Sequence, residues 1–182
     1  KEILEESISF SCGNEDLDGF FHNDAVSYAD NLFGKSYCYY LEESKADIVC
    51  AFTVSNASIF TKYLPNARKK KVGKHVPHIK QDLIYPAVLI GRLGISTKFQ
   101  HLHIGTEVID FIKSWFVEPY NKTGCRYLVV DAYNEDVPVA FYKKNGFDFM
   151  FSTEEQEKSY RGIVSDKPLK TRLMYFDLIL IK

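Results

Sequence analysis

Cysteine is scarce in this sequence and none of it is paired. Cys12, Cys38, Cys50 and Cys125 are scattered over 182 residues without a C-x-x-C spacing. That excludes a zinc knuckle or a disulfide frame and predicts buried or neutral thiols. Long apolar runs are missing as well: those near Ala87 to Ile90 and Leu178 to Ile181 are far too short to cross a bilayer. No basic, apolar, small-residue leader pattern opens the chain, so a soluble, cytoplasmic protein is expected. A G-x-x-x-x-G-K-[ST] loop is absent, which argues against nucleotide hydrolysis. Acidic residues disappear between Asp47 and Asp82, while Lys62, Arg68, Lys69, Lys70, Lys71, Lys74 and Lys80 all fall there. The net charge is −1; those seven leave 16 basic residues against 24 acidic ones elsewhere, a balance of −8. Such a stretch either meets an acidic partner or is a solvated loop.

What is present in abundance is aromatic: 14 Phe and 12 Tyr, within an apolar fraction of 46%. That composition predicts one α/β domain, 1–182, with a ring-rich core. The chain is organised around Ala87 to Phe116, which reads as a buried strand (AVLIGRLGIS), a short polar loop (TKFQHLHIG) and an amphipathic helix. Val108, Ile109, Ile112, Trp115 and Phe116 recur on one helical face, with Glu107, Asp110 and Lys113 on the other. A loop feeding a helix's first turn makes an anion site, because the first amides lack intrahelical acceptors and the helix dipole is positive there. Amides from about His103 to Glu107 are the candidates, and Gly105 allows close approach.

Around this unit, Asn14 is read as the N-cap of a first helix, after a short strand at Ile8 to Phe10 and a turn at Gly13. Ser36 to Leu41 and Ile48 to Ser55 form a hairpin. Tyr63 to Tyr85 reads as a long loop or loosely helical arm. Tyr127 to Ala132 is a continuous apolar run, as in a parallel strand covered on both faces. A short helix (VPVAFYKKN) follows, with Pro138 in its first turn and Gly146 at C′. Phe147 to Phe151 and Leu173 to Ile181 are strands, and Thr153 to Lys170 is a loop between them. The alternation is that of an α/β fold with a mixed sheet.

The strand GRLGI, the loop Gln100-x-x-His103-x-Gly105, Asn134 and the run FYKKNGF with Tyr142 resemble, in order, the acetyl-CoA-binding core of the GNAT superfamily of N-acetyltransferases. The opening F-x-C-G-N-x-x-L-D-x-F is similar to a GNAT subgroup that includes acetyltransferase toxins, which extends the resemblance over almost the full chain. It implies a single GNAT-like domain, acetyl-CoA as co-substrate and a primary amine as acceptor. It places the pyrophosphate at Gln100, His101, Leu102, His103, Ile104, Gly105 and Thr106. The thioester then lies along the backbone of Leu93, Gly94 and Ile95, one of whose amides serves the oxyanion. His101 and His103 stand where relatives carry glycine. Either the loop keeps its path with helical φ/ψ, the favoured expectation, or pyrophosphate binding is weakened and partly replaced by an imidazole contact.

Tyr142 is the candidate general acid for the departing thiolate; the alternative is a ring that only packs beside Phe141. Asn134 either holds the pantetheine arm or forms a turn. Arg92 either lines the acceptor groove or is a salt-bridged structural arginine. No general base is evident, since Glu107, Asp131, Glu135 and Asp136 lie where helix starts and loop ends attract acids. No metal is expected, because His101-x-His103 and His75-x-x-His78 lack completing ligands. Three functions remain open: an amine N-acetyltransferase, a toxin-like acetyltransferase of aminoacyl-tRNA that meets tRNA through Lys62 to Lys80, and a non-catalytic acyl-CoA-binding module. A homodimer is common in the family.

Overall fold

A computed structural model describes residues 10–77 and 84–182. The expected strand at Ile8 to Phe10 falls almost wholly outside these residues. Six strands form one sheet in the order β1-β2-β3-β4-β6-β5. They are β1 (Lys35–Leu41), β2 (Ser44–Phe60), β3 (Ile84–Ile95), β4 (Tyr127–Tyr133), β5 (Asp148–Phe149) and β6 (Thr171–Asp177). The chain groups into two compact units, 10–56 with 90–112, and 57–77 and 84–89 with 113–182.

In the first unit, Asn14 caps helix α1 (Glu15–Gly19): its side chain accepts the Leu17 amide at 3.1 Å, with Glu15 and Asp16 in the first turn. A π-turn at Phe20–Asp24 leads into α2 (Ala25–Asp30). The π-turn has no sequence signature; it brings Phe20 and Phe21 together into a cluster with Phe10, Ala25, Ile48 and Ala51. The expected hairpin is present, β1 pairing antiparallel with β2 from Lys35 opposite Val54 to Leu41 opposite Ser44.

In the second unit, the stretch from Tyr63, expected as a long loop or loosely helical arm, contains helix α3 at Asn66–Val72, preceded by a 3-10 turn at Thr61–Tyr63. Helix α3 is docked because Arg68 is buried, donating from Nε to the Met150 carbonyl at 2.9 Å, with Val72 beside it in the core. β4 pairs antiparallel with β6, so the apolar run of Tyr127 to Ala132 has an antiparallel neighbour on that side. The strand expected at Phe147 to Phe151 shortens to two residues, and β6 gives way at Leu178 to a 3-10 turn. Asp177 ends β6 by capping that turn through the Ile179 amide.

The stretch from Thr153 to Lys170, expected as a loop, contains helix α6 (Glu154–Arg161). Thr153 caps it by accepting the Gln156 amide, and Gly162 ends it at φ 68°. The helix shows no apolar stripe because a carboxylate anchors it. Glu157 is fully buried and accepts Arg172 Nε at 2.7 Å, Arg161 Nη2 at 2.6 Å and the Leu173 amide at 2.7 Å.

Candidate active site

Helix α4 (Ile104–Val117) continues the expected loop. Val108, Ile109 and Ile112 are buried, as the periodicity required. Lys113 is not on the solvent face: it is buried, with Nζ 4.5 Å from the centre of the Phe176 ring. Its long methylene stem accounts for that placement. At the start of the helix the Thr106 and Glu107 amides both donate to the His103 carbonyl, at 2.9 and 3.3 Å. The amides of His103, Ile104 and Gly105 therefore form the open N-terminal end, and the candidate cradle is shorter than the sequence implied.

The loop departs from the favoured expectation in its backbone. His101 has φ 64° and His103 φ 63°, both left-handed rather than ordinary helical values. The chain thus follows the path a glycine would take while carrying a Cβ at both places. Both histidines and Leu102 are exposed, so neither Cβ is driven into packed structure.

The loop is held from below. Gln100 donates from Nε2 to the Cys12 carbonyl at 2.8 Å and to the Ile95 carbonyl at 3.1 Å, so its side chain acts as a brace. Cys12 is itself fixed. Its amide donates to Asp18 at 2.8 Å, Ser11 Oγ donates to the same carboxylate at 2.7 Å, and the Thr97 amide donates to the Ser11 carbonyl at 2.9 Å. Burial works against ionisation of Asp18, but the donors from Cys12 and Ser11 prevail and hold its pKa below the usual carboxylate value. Asp18 was not singled out from the sequence, although it is the acid of the opening motif. One of three acids in a helix's first turn gave no sign that it, rather than Glu15 or Asp16, reaches back to the loop.

Gly94 on β3 is buried against Cys12: a Cβ there would lie 3.1 Å from both Cβ and Sγ of that residue and 3.3 Å from Phe10 Cζ. Any side chain there would make these neighbours give by a few tenths of an ångström, so the close approach suits glycine. Leu93 and Ile95 flank it half-buried. Burial pushes the Cys12 thiol up to about 11, which keeps it neutral. The Arg92 guanidinium lies over the Phe20 ring, 3.7 Å from its centre.

In the second unit, Tyr142 lies on α5 (Asp136–Lys144). The helix ends in a Schellman motif: the Phe147 amide donates to the Tyr142 carbonyl, the Gly146 amide donates to the Lys143 carbonyl, and Gly146 takes φ 84°. The Tyr142 ring makes the accompanying apolar contact, with centroids 5.5 Å from Phe147 and 5.1 Å from Phe141. Desolvation raises its hydroxyl pKa well above the ordinary tyrosine value, so it stays protonated. Asn134 follows β4 and uses its Nδ2 protons on Glu154 Oε1 and the Leu169 carbonyl, both at 2.9 Å. Its amide oxygen, an acceptor, takes no part in these two bonds.

These elements make the mixed-sheet α/β fold that the sequence led us to expect, and solved structures share it over almost the whole chain. No family model matches the sequence, and no curated protein matches it. A tyrosine-to-phenylalanine variant of KacT matches with a TM-score of 0.66 at 19% identity, over 98% of this chain and 91% of that one. AtaT complexed with acetyl-methionyl-tRNAfMet matches at 0.64 and 20% identity, over 94% and 87% of the two chains. AtaTR bound with AcCoA matches at 0.64 and 20%, over 96% and 88%. At such identities the likeness establishes the fold.

Proposed function

We propose that this protein is a single-domain N-acetyltransferase that moves the acetyl group of acetyl-CoA to a primary amine by direct attack in a ternary complex. The observation that carries this reading is the loop before α4, which keeps a glycine's backbone path at His101 and His103, in a fold shared with AtaTR bound with AcCoA. The residues present fit the cofactor, because the two Cβ atoms are exposed and the helix end is open.

In this reading the amides of His103, Ile104 and Gly105 face the pyrophosphate, with His101, Leu102 and Thr106 completing the loop and Gln100 holding its shape. A main-chain N–H among Leu93, Gly94 and Ile95 stabilises the oxyanion as it forms. The Asn134 oxygen accepts from the pantetheine arm. Tyr142 gives its hydroxyl hydrogen to the departing thiolate. Its raised pKa makes it a weak acid, so its contribution is a hydrogen bond that stabilises the thiolate first, with proton transfer late and the resulting phenolate reprotonated by the proton that the attacking amine loses.

The acceptor is proposed to be the amino group of aminoacyl-tRNA. The structure of AtaT complexed with acetyl-methionyl-tRNAfMet favours this acceptor, as do the exposed Lys62, Lys70 and Lys74. An α-amino group with an ordinary pKa of about 8 is appreciably neutral at pH 7, so the absence of an evident base is no obstacle. Arg92 is assigned to the acceptor side. A cytoplasmic location and a homodimer belong to the same reading.

Calorimetric titration with acetyl-CoA, CoA and dephospho-CoA, followed by acetyl transfer to aminoacyl-tRNA and to free small amines, tests it. Micromolar acetyl-CoA binding with turnover on aminoacyl-tRNA is expected. Binding without turnover on any amine would indicate an acyl-CoA-binding module, and no binding would remove the acetyltransferase reading.

A further inference from the structure

A second candidate site lies within the second unit, independent of the acyl-transfer reading. An open groove of about 490 Å³ is lined by Tyr63, Pro65, Glu155, Gln156, Ser159 and Tyr160. One wall comes from the turn entering α3, the other from α6. The Tyr63 and Tyr160 rings meet at a corner, with centroids 6.5 Å apart and planes inclined by 63°. Tyr160 is held in place from behind by Phe151, at a centroid distance of 4.9 Å. Tyr63 is not buried at all deeply, being 63% exposed, so its ring is surface kept apolar without a core to justify it.

We propose that this groove binds an organic cation, an alkylammonium or guanidinium group, against the two tyrosine faces with Glu155 as its counter-ion. A tyrosine face attracts a cation through its quadrupole, and a corner of two rings presents two such surfaces to one charge. The carboxylate stands in the first turn of α6, where its own backbone amide and the Thr153 side chain hold its pKa below the usual value. Lys158, three residues on, acts on it more weakly than those hydrogen bonds. Ser159 supplies a hydroxyl to a remaining N–H group of a guanidinium, while Gln156, whose Oε1 already accepts the Ser152 amide at 3.1 Å, completes the polar wall. The polar and apolar elements together suit a cation on an aliphatic stem and disfavour a phosphate, which Glu155 would repel.

The chemistry could be brought by a small polyamine or by an arginine side chain of a peptide, and amide NMR titration separates them. With spermidine in one arm and N-acetyl-arginine amide in the other, saturable shifts are expected at Gln156, Ser159 and Tyr160, with millimolar affinity. The arm that saturates first identifies the source. Tyr63→Ala and Glu155→Gln should each weaken binding at least fivefold; both residues are exposed, and unchanged spectra elsewhere would report an intact fold. The neutral isostere N-acetyl-citrulline amide should not bind. Equal shifts with citrulline, no effect of Glu155→Gln, or no saturable shift with either cation would overturn the proposal. None of these outcomes touches acetyl-CoA binding, so the site stands or falls separately.

Discussion

At His101 and His103 the backbone takes a conformation in which a Cβ crowds the following carbonyl. An ordinary L-residue there costs roughly 1–2 kcal/mol, and histidine is among the few side chains found there with some frequency. Glycine would relieve that cost but lose more entropy on folding, so His101→Gly or His103→Gly should shift stability by no more than about 1 kcal/mol, upward, in denaturant unfolding. Acetyl-CoA affinity should be unchanged or improved in His103→Gly. A large loss of affinity would mean that the imidazole itself holds the pyrophosphate. Tyr142→Phe removes only the hydroxyl from a ring whose packing against Phe141 and Phe147 is retained. If Tyr142 serves the thiolate, kcat should fall by about 10²-fold with acetyl-CoA affinity nearly intact. A variant with unaltered kcat would leave Tyr142 the role its Schellman contact already gives it.

At the scale of the element, two helices show what the sequence could and could not disclose. Helix α4 was legible because Val108, Ile109 and Ile112 repeat at helical spacing and are all buried. Helix α6 was not, because its inward residue is Glu157, and a charged anchor is invisible to a reading that counts apolar positions. The cap Thr153, the helix-forming run after it and Gly162 were signals available in the sequence, yet without a stripe they read as a charged loop. Removing the charge on Glu157 while keeping its shape takes from the buried Arg172 the carboxylate that it meets at 2.7 Å, while Arg161 keeps Asp131 at 2.7 Å. Glu157→Gln should therefore destabilise the protein by about 3–5 kcal/mol, read by chemical unfolding. The Asp148 carboxylate ties α3 to β5 through Lys71 and Arg68. Desolvation opposes its ionisation, but the Lys71 hydrogen bond and the two positive charges hold its pKa below the ordinary value. A depressed folded pKa contributes stability above the unfolded value, about 3.9, that is lost as pH falls through the folded one. Asp148→Asn should flatten the pH dependence of stability below about pH 4 and leave the slope near neutrality unchanged.

For the whole molecule the question is how a chain of net charge −1 would engage RNA. The basic stretch seen in the sequence is smaller as a surface than as a count. Arg68 and Lys71 are committed to Asp148, and Arg68 is buried. Which lysines were spent internally could not be read from the sequence, since the partner Asp148 lies far along the chain and only the fold brings it to α3. Among the described residues of the stretch, Lys62, Lys70 and Lys74 are exposed outside that cluster, and Lys80 lies outside the described residues. Three phosphate contacts imply that log K for RNA falls with log salt at a slope of about −2 to −3, far shallower than for a strongly basic binder. If aminoacyl-tRNA is the acceptor, replacing these three lysines by alanine should bring that slope close to zero and raise KM for aminoacyl-tRNA. Acetyl-CoA affinity should not change, because none of the three lysines is assigned to the cofactor. A slope that survives the triple substitution would place the RNA contacts elsewhere on the protein. Activity on a free small amine with no salt dependence at all would instead favour a small-molecule acceptor and reduce the lysines to a solvated face.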